Sequence, residues 1–231
     1  MVEIIIGIDD TDNQESRGTG HLARVIAQNL GESYAVHGIL RHQLLFDPRV
    51  PYTAKNSCAA IILQLDSLPD LAEIYKQAEA LMLADFQPGS DPGLCVAAGI
   101  VSQEIIDFGR KAQKDLVNQA DARQLASQNK ILLSGLGGTQ DGVIGALAAV
   151  GLAFSGEDGR YIQVGRVREL SGLKPVHDII AAGVDSVRTL DDNLISEGVV
   201  MADKLRPARR KAKPILYVQQ ENEIWQPLKL D

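Results

Sequence analysis

The chain has 231 residues, 45% of them hydrophobic and 23% charged, and its 30 Asp and Glu outnumber 23 Lys and Arg for a formal net charge of −7. Such a balance is that of a soluble globular protein, with no run long enough for a membrane span, and it argues against a surface coated in nucleic acid, which needs a surplus of cations. The length suits one large domain, or a core with a smaller appended unit. The N-terminus enters a strand directly, with no basic apolar leader, so a cytoplasmic protein is expected. Two cysteines, Cys58 and Cys95, are too few for a disulfide framework and lack metal-ligand spacing, so both are expected to be buried thiols.

In chain order, the apolar run 2–8 predicts a buried strand, and the spacing of 22–30 predicts a helix stopped at Gly31. A second strand is expected over 33–40. The stretch 41–56, with Pro48 and Pro51, is long for a mere connection and therefore a candidate for function. A small-residue strand over 58–65 follows, then a helix from Leu71 announced by Pro69-Asp70. Asp91-Pro92-Gly93 marks a tight turn before a short strand, 94–98, and helices are expected over 101–114 and 120–128. A second strand-loop-helix unit spans 130–153, its helix rich in Gly and Ala, which allows a close backbone approach. Beyond it, 161–168 alternates like a strand, and the tail holds a short helix, a basic segment and a hairpin with arms 215–218 and 224–228. The expected fold is α/β, a layered mixed sheet with helices and a β-rich C-terminal extension, divided as a core over 1–160 and an extension over 161–231 packed on it as one unit.

The densest chemistry lies in Gly7 to Ala23. Asp9, Asp10 and Asp12 follow the first strand within four positions, and like carboxylates so close favour a hard divalent cation such as Mg2+ among them. The alternative is a solvated turn in which Asp10 or Asp12 bonds the backbone. Gly18-Thr19-Gly20-His21 opens the first helix, where backbone amides can hold a phosphate. Although it fits Gly-x-Gly-x-x-Ala, the acidic loop before it and the absence of an acid at the end of the second strand exclude a dinucleotide fingerprint. Thr19 is then a candidate phosphoryl acceptor or metal ligand, and equally a helix N-cap. The Gly137, Gly138 and Gly142 loop lacks a Walker signature yet offers a backbone that can contact phosphates. The segment 204–213 holds six Lys and Arg and no acid, open to reading as a solvated run or as an anion contact.

Assembled, these residues resemble the N-terminal kinase domain of archaeal tRNA(Ile) agmatidine synthetase. The likeness is carried by Gly7-Ile8-Asp9-Asp10-Thr11-Asp12, by Thr19 before the first helix, by Pro48, Pro51 and Tyr52 followed by Lys55, by the Asp91-Pro92-Gly93 turn and by Gly142 to Ala149, in order over about the first 170 residues. The resemblance implies a domain that binds ATP and Mg2+ and transfers a phosphoryl group, with Asp9, Asp10 and Asp12 at the metal and phosphate site and Thr19 as the phosphorylatable threonine. Two departures stand out: the family's Cys-Thr-Thr-Tyr is Gly18-Thr19-Gly20-His21 here, and no cysteine trace of the family's zinc ribbon is present. The expected function is a stand-alone ATP- and Mg2+-dependent phosphotransferase acting on a small molecule or on Thr19 itself, with Lys55 neutralising developing charge. A nucleotide-binding regulatory module and an RNA-binding accessory protein using Lys204 to Lys213 are the alternatives, RNA being disfavoured by the acidity and the 4% aromatic content.

Overall fold

The computed structural model describes residues 1–50 and 55–230, so Pro51 and Tyr52 of the motif above lie outside the described residues. The chain divides into two compact units, Met1–Ser155 and Gly156–Asp231.

The first unit contains β1 (Val2–Asp9), α1 (Thr19–Leu30), β2 (Val36–Gln43), β3 (Ser57–Leu65), α2 (Leu71–Ala84), β4 (Gly93–Ala98), α3 (Gln103–Ala112), α4 (Gln119–Gln128), β5 (Leu132–Gly135) and α5 (Gly142–Ser155). Its sheet has the order β5-β4-β1-β3-β2. Every neighbouring pair is antiparallel. The first six elements thus form a split βαβ arrangement, in which two crossovers carry helices α1 and α2 over one face. Helix α5 covers β1, β3 and β4 on the other face, with α3 and α4 packed against it. β1 sits at the centre, which explains its uninterrupted apolar run: Ile4, Ile5, Ile6 and Ile8 are all fully buried.

Small residues make the α5 layer possible. A Cβ at Gly7 would overlap the Ala146 carbonyl oxygen, and one at Gly151 would overlap that of Ile105 on α3. All of α5 except Ile144 and its last two residues is buried, so the helix is sandwiched between sheet and helix rather than amphipathic.

Elements fall where the sequence places them, with shifted ends. Helix α1 starts at Thr19, three residues before the first apolar position, because Gly18 at φ +83 turns the chain ahead of it. Strand β2 starts at Val36 rather than Ser33, since the amides of Gly31 and Tyr34 still bond the carbonyls of Ala27 and Leu30. Asp70 caps α2 by accepting from the Ala72 amide at 2.9 Å, as the Pro69-Asp70 signal implies.

The second unit holds β6 (Arg160–Val164), a 3-10 turn (Val167–Glu169), β7 (Leu173–Pro175), α6 (Val176–Ala181), β8 (Ser186–Arg188), β9 (Leu194–Ile195), β10 (Val199–Met201), β11 (Ala208–Arg210), β12 (Lys213–Glu221) and β13 (Ile224–Pro227). The strand expected over 161–168 ends at Val164, where Gly165 at φ +45 breaks it. The expected hairpin is β12 and β13, joined by Asn222 and Glu223 at φ +49 and +67. Parallel pairs occur here, β10 with β13 and β12 with β8, which completes the mixed layered α/β fold with a β-rich C-terminal part.

The basic segment is a second hairpin, β11 to β12, turned by Lys211 and Ala212 at φ +50 and +59. Arg209 inside it is fully buried, and its guanidinium donates to the Tyr161 hydroxyl at 3.0 Å and to the Ala212 carbonyl at 3.2 Å. Neither a wholly solvated run nor a continuous anion-contacting surface describes it. Ala208 and Arg209 of β11 are both buried, while Lys204 before the strand, Lys211 in the turn and Lys213 at the start of β12 are exposed. Cys58 and Cys95 are free and buried, as their number implies. Among the described residues no helix is long and apolar enough to cross a membrane.

Candidate functional site

β1 delivers Asp9 to the edge of the sheet and Asp10 to the turn beyond it. Asp9 lies on the face covered by α5, where Gly145 leaves room for it: a Cβ there would overlap the Asp9 carboxylate. Although Asp9 retains some solvent exposure, it is so densely surrounded that burial pushes its carboxyl up to about 8, with repulsion from Asp10 and Asp12 adding to the rise and the Asp10 amide opposing it. Asp10, in a left-handed conformation at φ +50, is raised to about 6, first by burial and then by Asp91, with Asp12 and Asp141 contributing. The acidic stretch of the sequence is therefore only part of the negative field. Asp91 comes from the turn before β4 and Asp141 from the loop before α5, residues whose role the sequence concealed because it reads them as turn formers.

Beside Asp9 and Asp10 opens a pocket of about 280 Å3. Its walls are apolar, from Leu44, Leu45, Leu116, Val117 and Ile144, and its polar groups include Arg49, Asn56, Asn118, Gln119 and Asp141. Leu44, Leu45 and Asn56 are anchored at one wall: the Leu44 amide donates to the Asn56 carbonyl at 2.9 Å, the Asn56 side chain to the Leu45 carbonyl at 2.8 Å, and the Leu45 amide to the carbonyl of Ala112 at the end of α3 at 3.0 Å. The expectation of function in that long loop thus meets a built cavity. The cation on its wall is Arg49, held by two bonds of 2.8 Å to Asp47. Lys55, by contrast, is exposed and does not line the pocket.

Thr19 is the first residue of α1 and does not cap it. Gly18 occupies the cap position with no side-chain bond, so the N-cap alternative falls away and no side chain caps the first-turn amides. The Thr19 hydroxyl instead donates to Asp12 Oδ1 at 3.1 Å and receives a bond of 3.1 Å from the Thr11 hydroxyl. Gly20 and His21 lie in the same first turn, and the His21 amide bonds the Gly18 carbonyl at 2.8 Å.

The glycine loop is differently engaged. Asp91 accepts a hydrogen bond from the Thr139 amide, its carboxylate fills the space over Gly138, and the Gly142 amide donates to the Asp91 carbonyl at 3.0 Å. An internal carboxylate already takes the place by the loop that a phosphate would need, so of Gly137, Gly138 and Gly142 it is Gly142 at the start of α5, next to Asp9, that adjoins the acidic site. Gly137 packs against Phe86.

Among the described residues no three His, Cys, Asp or Glu side chains are grouped as a ready-made metal site. The donor set nevertheless fits Mg2+: Asp9 and Asp10 are hard carboxylates that burial and mutual repulsion hold back from ionising, and Mg2+ commonly takes only one or two carboxylates alongside phosphate oxygens and water.

No family model matches the chain. An uncharacterized protein of Methanocaldococcus jannaschii is 30% identical over 155 residues, covering 66% of this chain and 51% of its own length. The tRNA 2-agmatinylcytidine synthetase TiaS of Cenarchaeum symbiosum is 28% identical over 151 residues, or 64% of this chain and 33% of the synthetase. Among solved structures, TiaS in complex with its isoleucine tRNA and ATP superposes with a TM-score of 0.57 at 23% identity, over 65% of this chain and 36% of that one. The chain therefore spans about half the length of the first relative and about a third of the synthetase. The acidity and low aromatic content therefore do not set RNA aside, since a structural neighbour is a complex with a tRNA.

Proposed function

Because about two thirds of the chain form a domain like that of the tRNA agmatidine synthetases, we propose that the first unit is an ATP-binding phosphotransferase core in which Thr19 accepts the γ-phosphoryl group. The observation that carries this is the hydrogen bond from the Thr19 hydroxyl to Asp12, whose charge also reaches Asp9 and Asp10. Asp9 and Asp10 would hold Mg2+, which would offset the charge of the phosphates. The first turn of α1 binds phosphate oxygens through the Gly18 and Gly20 amides, the His21 amide beside them being held by the Gly18 carbonyl. The pocket walled by Leu44, Leu45 and Ile144 receives the uncharged part of the nucleotide.

In the transfer, the Thr19 Oγ attacks the terminal phosphorus, its proton passes to the Asp12 carboxylate, and the bond to the bridging oxygen breaks to release ADP. Arg49 stands on the pocket wall as the cation able to meet developing negative charge, a part the exposed Lys55 could take only by moving.

The test is calorimetric titration with ATP and Mg2+, followed by incubation with γ-labelled ATP and mass spectrometry of the peptide carrying Thr19. Saturable binding that Asp10→Asn weakens at least tenfold, with label on Thr19, is the expected result. Absence of binding sinks the reading, and binding without label reduces the unit to a nucleotide-binding module.

A further inference from the structure

The hydroxyl of Thr11 is not explained by the fold or by metal and phosphate binding. Thr11 is one of the few buried polar residues, 4% exposed, in the middle of the acidic loop. Its hydroxyl bonds that of Thr19, eight residues away and on another element, at 3.1 Å. The direction of this bond follows from counting protons. The single hydrogen of Thr19 is donated to Asp12 Oδ1, so the Thr19 oxygen can only accept from Thr11. Two bonds at fixed angles hold one side chain. The Thr19 oxygen keeps a single lone pair that is not spoken for, and the Asp12 and Thr11 contacts together determine where it points.

From this we infer that Thr11 is a positioning residue for the phosphoryl acceptor: its hydroxyl locks the Thr19 rotamer so that the proton faces Asp12 and the remaining lone pair faces the incoming phosphorus. The inference rests on the reading of Thr19 as acceptor. No atom of Thr11 is transferred. In the step it serves, the Thr19 Oγ–P bond forms, the bond between the terminal phosphorus and the bridging oxygen of ATP breaks, and the Thr19 proton goes to Asp12. The Thr11 hydrogen bond strengthens as negative charge gathers on the Thr19 oxygen before the new bond is complete. Burial matters to this role, because a hydroxyl screened from water exchanges partners less readily than an exposed one and so keeps its neighbour in one rotamer.

The experiment is single-turnover phosphorylation of the full chain by γ-labelled ATP, with the label on Thr19 counted by peptide mass spectrometry, for the wild type, Thr11→Val and Thr11→Ser. Valine matches the shape of threonine and removes only the hydroxyl; serine removes the methyl and keeps the hydroxyl. The expected outcome is a fall in the rate of Thr19 labelling of about tenfold or more in Thr11→Val, with ATP affinity unchanged, and recovery of most of that loss in Thr11→Ser. Equal rates in wild type and Thr11→Val overturn the inference while leaving Thr19 as acceptor intact. Equal losses in both variants overturn it in favour of packing alone. A wild type that binds ATP and carries no label on Thr19 overturns the acceptor reading itself and this inference with it.

Discussion

Two short stretches carry most of the local charge in this chain, and the fold treats them in opposite ways. The acidic loop, Asp9 to Asp12, keeps its carboxylates together, with Asp9 set against Gly145 of α5, so that two of them are pushed toward neutrality. The basic segment, Lys204 to Lys213, is dispersed by a β-hairpin: Arg209 turns inward to Tyr161 while lysines on either side face water. Charge density in a sequence is thus no guide to a site on its own. What distinguishes the two is the partner surface, since Gly145 makes room for the Asp9 carboxylate while the exposed lysines stand outside β11, before it, in its turn and at the start of β12. The overall balance repeats the contrast: the second unit has twelve Lys and Arg against twelve Asp and Glu, so the whole surplus of acid belongs to the first.

The sharpest way to break this contrast is at Arg209. If it is structural, Arg209→Ala destabilises the protein by about 3 kcal/mol or more in urea unfolding, because buried carbonyl and hydroxyl partners lose their donor. Neutralising the exposed Lys204 and Lys211 together shifts stability by no more than about 0.5 kcal/mol. Comparable values for the two variants would mean that the hairpin does not sort its charges as described.

A smaller effect is expected at Gly145. Gly145→Ala drives a methyl into the Asp9 carboxylate and costs about 1–3 kcal/mol of stability, together with a loss of ATP affinity that exceeds what the loss of stability explains. Retained affinity would show that the room over Asp9 serves packing only.

The acidic loop also makes a prediction about pH. A carboxyl whose folded value is raised to about 8 from an ordinary 3.8 binds its proton more tightly in the folded state, so its contribution to stability is fully present below pH 4 and is lost as pH rises toward 8. Asp9→Asn removes the titrating proton. The stability of that variant relative to wild type therefore increases steadily between pH 4 and 8 in metal-free buffer, as thermal unfolding across that range will measure. A flat difference would mean that Asp9 ionises as an ordinary carboxyl. The smallest effect concerns the thiols: Cys58 and Cys95 should fail to react with a thiol reagent in the native protein and react fully in urea, since both are buried and burial also raises the Cys95 thiol.

The sequence made most of the elements legible because local rules and tertiary packing agree in them. The isoleucines of β1, the Asp70 cap and the small residues of α5 each have one structural solution. Helix ends were less legible: the start of α1 is set by the backbone of Gly18, which no apolar periodicity reveals. The site divides in the same way. Asp9, Asp10, Asp12 and Thr19 are brought together because they are close in sequence and flank one turn. Asp91, Asp141, Arg49, Asn118 and Gln119 reach the same region from four other segments, and nothing in a linear reading distinguishes them from ordinary turn and cap residues. Lys55 was reached by sequence order beside a proline-rich motif, whereas the pocket wall selects Arg49 a few residues earlier.

The strand order has a consequence for how the site comes into being on the ribosome. β1 is made first but pairs with β3 and β4, at residues 57–65 and 93–98, and its far end is covered by α5 at residues 142–155. The central strand consequently stays without partners while the next fifty or so residues are synthesised, and Asp9 meets Gly145 only when the last helix of the unit emerges. Contacts so distant along the chain make folding slow, and leave a strand with four isoleucines open to misassociation until late. Charged residues flanking an apolar strand oppose its association with other chains, and Asp9, Asp10 and Asp12 stand in that place at the end of β1.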